Sequence, residues 1–189
     1  MFFVVLGWAS FALFLSSQVY IAMSNNYNRN IFFALNLAGC IAIVLSSYNI
    51  ESWVTVIYNS IWAIISITAF MDEKKQIPCP ISIKTFNTLI VIAVSIALLT
   101  LSLNQILAIN IFGYSSISFI IIAYILYTKK EITKTQYLIY FVIATPLNIP
   151  LLFHDNNMPA ITTHSMYIIL SLAGLVKHYY YQDRKKAIQ

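Results

Sequence analysis

The chain has 189 residues, 60% hydrophobic and only 9% charged, whereas soluble domains carry about 25% charged residues; this composition excludes an ordinary water-soluble protein. The net charge of +5 is not a nucleic-acid signal, because the basic residues are spread over separate connections and form no single patch. The two cysteines, Cys40 inside an expected span and Cys79 in a connection, imply no disulfide framework.

Apolar runs of roughly 17–23 residues, near the ~20 needed to cross a hydrocarbon core, recur seven times. The first runs from Phe2 to Met23 with a polar stripe of Ser10, Ser16, Ser17 and Gln18. It lacks the basic n-region and small-residue cleavage site of a signal peptide, so it reads as a membrane helix. Ser24–Asn30 is a turn by its asparagine density, and the second span follows from Ile31 to Ser47. After the short turn Tyr48-Asn49-Ile50-Glu51, the third span covers Ser52 to Met71. A charged run from Asp72 to Lys75 and then Pro78-Cys79-Pro80 end it, since proline lacks the amide donor that continues a helix.

The fourth span, Thr85 to Leu103, is plain in composition, and Asn104-Gln105 turn directly into the fifth, Ile106 to Thr128. The sixth covers Gln136 to Phe153, the turn His154-Asp155-Asn156-Asn157 follows, and the seventh runs from Pro159 to Tyr181. Trp8, Trp53 and Tyr179–Tyr181 sit near expected span ends, where amphipathic rings prefer the interface.

Charge fixes an expected orientation. Arg29, Lys74, Lys75, Lys84, Lys129, Lys130, Lys134, Arg184, Lys185 and Lys186 all fall in the first, third and fifth connections or the C-terminal tail, and Lys177 at the adjoining inner edge of the last span. The second and sixth connections carry only the acids Glu51 and Asp155, and the fourth carries no charge. Because Lys and Arg are held on the cytoplasmic side, the chain is expected to be N-out and C-in. Lys177 falls at the inner edge of the last span and not at its midplane, which excludes a retinal-binding lysine there.

The three spans before the proline-rich break resemble the last three. Gly7-Trp8 matches Gly113-Tyr114, each followed two positions on by serine, Ser10 and Ser116. In the third helix of each set, Asn59-x-x-Trp62-x-x-x-Ser66 matches His164-x-x-Tyr167-x-x-x-Ser171. Three helices end on the opposite side from where they begin, so an extra helix is needed for two such units to lie parallel. The expected organisation is therefore all-α with seven transmembrane helices: a three-helix bundle over 1–71, a connection over 72–84, a linker helix over 85–105, a second bundle over 106–181 and a basic tail over 182–189. Parallel repeats are one way transporters build a central site that can open to either side.

This organisation resembles the sugar-transporting SWEET family and the Pnu-type nicotinamide riboside transporters of bacteria. The Pnu likeness rests on Asn36-x-x-Gly39, the short polar turn after the second helix and the Asn59-x-x-Trp62 step. The chain is also similar in layout to small bacterial inner-membrane proteins of unknown function, chiefly over residues 1–70. The resemblance implies a transporter of a small neutral solute, either a vitamin nucleoside or a sugar. Two departures leave the substrate open: no proline precedes Pro78, and Trp53 and Trp62 are fewer tryptophans than Pnu-type members carry near the substrate.

Asn59, Trp62 and Ser66 share a helical face at i, i+3 and i+7, and His164, Tyr167 and Ser171 make the corresponding face of the seventh span. Aromatic planes with amide, imidazole and hydroxyl groups suit an uncharged ring bearing hydroxyls. Helix–helix hydrogen bonding is the competing role for each polar residue. His164 is the one ionisable side chain besides tyrosine well inside a span, a position that marks functional candidates. A second set joins Asn36 to Thr145 and Asn148, with Pro146 and Pro150 as hinges because each frees a backbone carbonyl; Gln18 and Tyr124 are further lining candidates.

No Asp, Glu, Lys or Arg is expected near a midplane, so ion coupling through a buried carboxylate is not expected. No catalytic constellation, metal cluster or cofactor motif is found, and the expected partners are a small-molecule solute and the lipid bilayer, with homo-oligomerisation left open. The rival reading is a non-transporting scaffold, sensor or assembly protein. High Ile, Asn and Lys usage fits an AT-rich bacterial genome and hence an inner membrane.

Overall fold

The computed structural model describes residues 2–24, 27–49, 51–70, 82–101, 103–154, 156 and 158–188. Among them lie seven helices: α1 (Phe2–Met23), α2 (Arg29–Asn49), α3 (Trp53–Thr68), α4 (Ile83–Leu101), α5 (Gln105–Thr128), α6 (Lys134–His154) and α7 (Met158–Ile188). Six are long and apolar enough to cross a membrane, and α3 adds a shorter apolar stretch, Thr55–Thr68. The molecule is a multi-pass helical membrane protein. The Pro78-Cys79-Pro80 break, Lys74, Lys75, Asp155 and Asn157 lie outside the described residues.

Helix ends depart from the hydropathy reading in a consistent way. α2 begins at Arg29 and α6 at Lys134, each two residues before the expected start. Both cations find backbone carbonyls on neighbouring helices, so their charge does not force an earlier loop. α4 likewise takes Lys84 into its first turn, and residues 182–188 of the expected tail continue α7 as helix. Asn104 caps α5 by accepting from Leu107 N at 3.0 Å, which satisfies one of the orphan amides of the first turn.

Six helices close into a ring in chain order. α1 packs on α2, α2 on α3, α3 on α5, α5 on α6, α6 on α7, and α7 returns to α1. α4 packs on α5 from outside and leaves apolar side chains such as Val91, Leu98 and Leu99 exposed, as a helix bathed in lipid would.

The turns after α2 and α6 share one geometry. Glu51 and Asn156 both take a left-handed backbone, with φ of 56° and 52°. Each donates its amide three residues back, Glu51 N to Tyr48 O and Asn156 N to Phe153 O. Each also accepts from the first amide of the next helix, Trp53 N and Met158 N.

Aromatic side chains fill the ring at the end where α1 and α5 finish. Phe32, Phe33, Tyr124, Tyr127, Tyr137 and Phe141 are all buried there, and Tyr127 stacks on Tyr137 with centroids 4.6 Å apart. Offset aromatic contacts of this kind add to plain area burial. Nearer the other end, Gly113 lets α5 and α6 touch: a Cβ there would come within 2.7 Å of Leu151 Cβ.

Candidate functional site: a cavity inside the helix ring

A cavity of about 50 Å³ lies inside the ring, and all six ring helices line it. α3 contributes Thr55, Tyr58, Asn59 and Trp62; α7 contributes Ala160, Thr163, His164 and Tyr167. The rest of the wall is Ser10 and Phe14 from α1, Ile43 from α2, Ile117 from α5, and Asn148, Leu151 and Leu152 from α6. Most of these positions lie toward the end of the bundle that holds the α1 N-terminus, and Phe14, Trp62 and Ile117 reach just past the middle of their helices.

The lining repeats. Thr55, Tyr58, Asn59 and Trp62 correspond one for one to Ala160, Thr163, His164 and Tyr167 at a single interval, that from 59 to 164. Ile43 corresponds to Asn148 at the same interval. Both sets project inward because i, i+3, i+4 and i+7 lie on one helical face.

His164 is held at both ring nitrogens. Nδ1 lies 2.9 Å from Ala160 O, a pure acceptor, so it carries the proton and donates. Nε2 then accepts from Asn148 Nδ2 at 3.2 Å, the tautomer following from the partners. This leaves Asn148 Oδ1 without a hydrogen-bond partner, and Trp62 Nε1 is likewise unpartnered. One is an acceptor and the other a donor, both buried. Such groups are costly unless water or a solute completes them. Thr145 Oγ1, one turn before Asn148, is a third. Asn59 Nδ2 donates within its helix to Thr55 O at 2.9 Å.

Rings form the cavity's inner boundary. Trp62 meets Tyr58 edge-on at 5.4 Å and lies 4.6 Å from Tyr124, while Tyr167 contacts Phe14 and Phe141. No lining residue is an Asp, Glu, Lys or Arg. The arrangement can hold an uncharged solute by hydrogen bonds and ring faces.

Of the residues expected to bind solute, Asn59, Trp62, His164, Tyr167 and Asn148 line the cavity. Ser66, Ser171 and Asn36 lie outside it. Ser66 Oγ donates to Trp62 O at 2.9 Å and lies 3.0 Å from Tyr124 OH, and Ser171 Oγ accepts from Gln18 Nε2 at 2.8 Å. Asn36 Nδ2 donates to Phe32 O of its own helix at 2.8 Å. Pro146 and Pro150 sit inside a continuous α6, beside Ala144, whose carbonyl accepts from Ser116 Oγ at 2.6 Å. Tyr58, Thr55 and Thr163 were not anticipated, although they sit one position or one turn from Asn59 and His164.

A family model for a family of unknown function matches residues 109–183, from within α5 to α7. No curated protein and no solved structure matches the chain.

Proposed function

We propose that this protein is a facilitative membrane carrier of a small neutral polar solute, with a vitamin nucleoside or a sugar as the solute class. Its architecture on this reading is two parallel three-helix bundles, α1–α3 and α5–α7, joined by α4. The observation that carries the proposal is the cavity lining, in which α3 and α7 present four corresponding positions each to one central space. The matching turns at Glu51 and Asn156 support the same pairing of halves. Parallel repeats around a shared site suit a pathway that opens to either side in turn.

A lining without charged side chains argues for an uncharged solute and against ion coupling through a buried carboxylate. Uptake would then run down the gradient, with accumulation by trapping inside. On this reading the positive-inside bias puts the basic connections on the cytoplasmic side, here of a bacterial inner membrane, and the cavity in the outward half. Small-molecule sites usually enclose about 300–1,000 Å³, so on this reading the cavity of about 50 Å³ has to widen to admit solute.

Uptake of labelled nicotinamide riboside and glucose, in cells lacking their own carriers, tests the proposal. The expected result is uptake of one of them, lost in Asn59→Ala and His164→Ala. No uptake of either, from protein confirmed in the membrane, would favour the scaffold or sensor reading instead.

A further inference from the structure

The end of the bundle opposite the cavity is tied by cations in a reciprocal pattern. Arg29, the first residue of α2, donates from its guanidinium to Tyr127 O and Thr128 O, the last carbonyls of α5. Its charge also lies over the rings of Phe33 and Tyr127, 5.6 and 5.2 Å from their centroids. Lys134, the first residue of α6, donates to Ser24 O, just past the end of α1, at 2.8 Å. Its ammonium lies over the Tyr27 ring at 5.6 Å.

The first residue of α2 therefore binds the end of α5, and the first residue of α6 binds the carbonyl just past the end of α1. The interval from Arg29 to Lys134 is the same as that from Asn59 to His164. Tyr27 and Tyr127 meet through their hydroxyls between the two caps, and Lys177 adds a bond to Met23 O. The last carbonyls of a helix lack the amide four residues on and carry the negative end of its dipole; here Tyr127 O also accepts from Lys130 N. A cation there is held by several groups at once, and water can replace those groups when it leaves.

We propose that Arg29 and Lys134 form a two-sided clamp that seals the basic end of the bundle, and that solute leaves the cavity toward that end only when the clamp releases. The second clause rests on the carrier reading; the seal itself does not. Every bond of the clamp joins a residue of α1, α2 or their connection to α5, α6 or α7, so the halves cannot part at this end while it holds. Between the clamp and the cavity stand the buried rings of Tyr124, Tyr137 and Phe141. With the clamp released, those rings face water.

Ser66, buried between the cavity floor and the clamp, is the reporter position. The full chain carrying Cys40→Ala, Cys79→Ser and Ser66→Cys is placed in sealed membranes, with a membrane-impermeant maleimide added to the face bearing the basic connections. Arg29→Gln with Lys134→Gln should raise the labelling rate about tenfold, since charge-assisted hydrogen bonds are lost on both sides. The exchange Arg29→Lys with Lys134→Arg keeps both charges but loses the planar fork at the α5 carbonyls, so it should label faster than the parent and several-fold more slowly than the double glutamine variant.

Equal labelling of the two variants, whether slow or fast, overturns the clamp, and so does a double glutamine variant no faster than the parent. Uptake is measured in parallel with native cysteines and separates the two claims. A labelling response without uptake of any solute keeps the seal and removes the carrier reading. Uptake without a labelling response removes the seal alone.

Discussion

Gln18 on α1 donates to Ser171 on α7 at 2.8 Å, and the corresponding contact recurs across the ring. There Tyr124 on α5 meets Ser66 on α3 at 3.0 Å. Gln18 and Tyr124 occupy matching places in the first helices of the two proposed halves, and Ser66 and Ser171 occupy matching places in the third. All four residues are buried. Each pair joins opposite halves just below the cavity, where a hydrogen bond has no competing water.

These two bonds should contribute alike. Hydrogen bonds between membrane helices average about 0.6 kcal/mol and reach about 1.7. Double-mutant cycles on Gln18→Leu with Ser171→Ala, and on Tyr124→Phe with Ser66→Ala, should each give a coupling of about 0.5–1.5 kcal/mol in reversible unfolding from mixed micelles. Couplings near zero in both cycles would show that the bonds do not hold the halves together.

Gly113 sets how closely α5 and α6 approach. A Cβ at that position would stand 2.4 Å from Leu151 Cδ2 and 2.7 Å from Leu151 Cβ. The δ-carbon can rotate away, but the β-carbon moves only with the backbone. Gly113→Ala should therefore destabilise the protein by about 1–3 kcal/mol, the usual range for overpacking, read as a lower unfolding midpoint in detergent. Adding Leu151→Ala does not move that β-carbon, so it should restore only part of the loss. Gly39→Ala should be milder, because its neighbours are Phe14 ring atoms at 3.0 Å. Equal stability of Gly113→Ala and the parent would place α5 and α6 further apart than found here.

Asn148 is the hinge of the polar site, since its amide both fixes His164 and leaves Oδ1 free. Asn148→Leu keeps the side-chain size while removing both functions. The expected effect is an uptake KM raised about tenfold or more, the cost of one or two hydrogen bonds to a solute. His164→Gln should fall between the parent and Asn148→Leu, because Gln retains a polar partner for Asn148. A KM for Asn148→Leu equal to that of the parent would exclude contact between this amide and the solute.

Much of this was legible in the residues, and the remainder has a physical reason. Six of the helices followed from apolar length, α3 is shorter than the span expected over Ser52 to Met71, and the facing of Asn59, Trp62, His164 and Tyr167 followed from helical spacing. Depth was not legible. Ser66 and Ser171 continue the same faces, yet the space ends one turn earlier because the Tyr124 ring packs on Trp62 and Gln18 reaches Ser171. Those partners come from other helices, and no pattern within α3 or α7 announces them. Asn36 illustrates the same limit: it is buried and its amide bonds its own helix at Phe32 O, as that of Asn59 does at Thr55 O, yet only Asn59 reaches the cavity. The starts of α2 and α6 were misplaced for a related reason. Arg29 and Lys134 look like loop charges, but each bonds the carbonyls at the end of a helix across the bundle.

Pro146 and Pro150 offer the clearest test of movement in α6. Proline donates no amide hydrogen bond, so the carbonyls of Val142 and Pro146 lack their usual partners four residues on. The helix nevertheless runs unbroken from Lys134 to His154, with Ser116 donating to Ala144 O close by. If α6 bends to change access to the cavity, restoring the amides should stiffen it. Pro146→Ala with Pro150→Ala should then bind solute with unchanged affinity, unfold at a higher temperature and turn over several-fold more slowly. Counterflow in proteoliposomes separates rate from affinity. A variant that is more stable and equally fast would assign the prolines a purely structural place in α6 and move the hinge elsewhere.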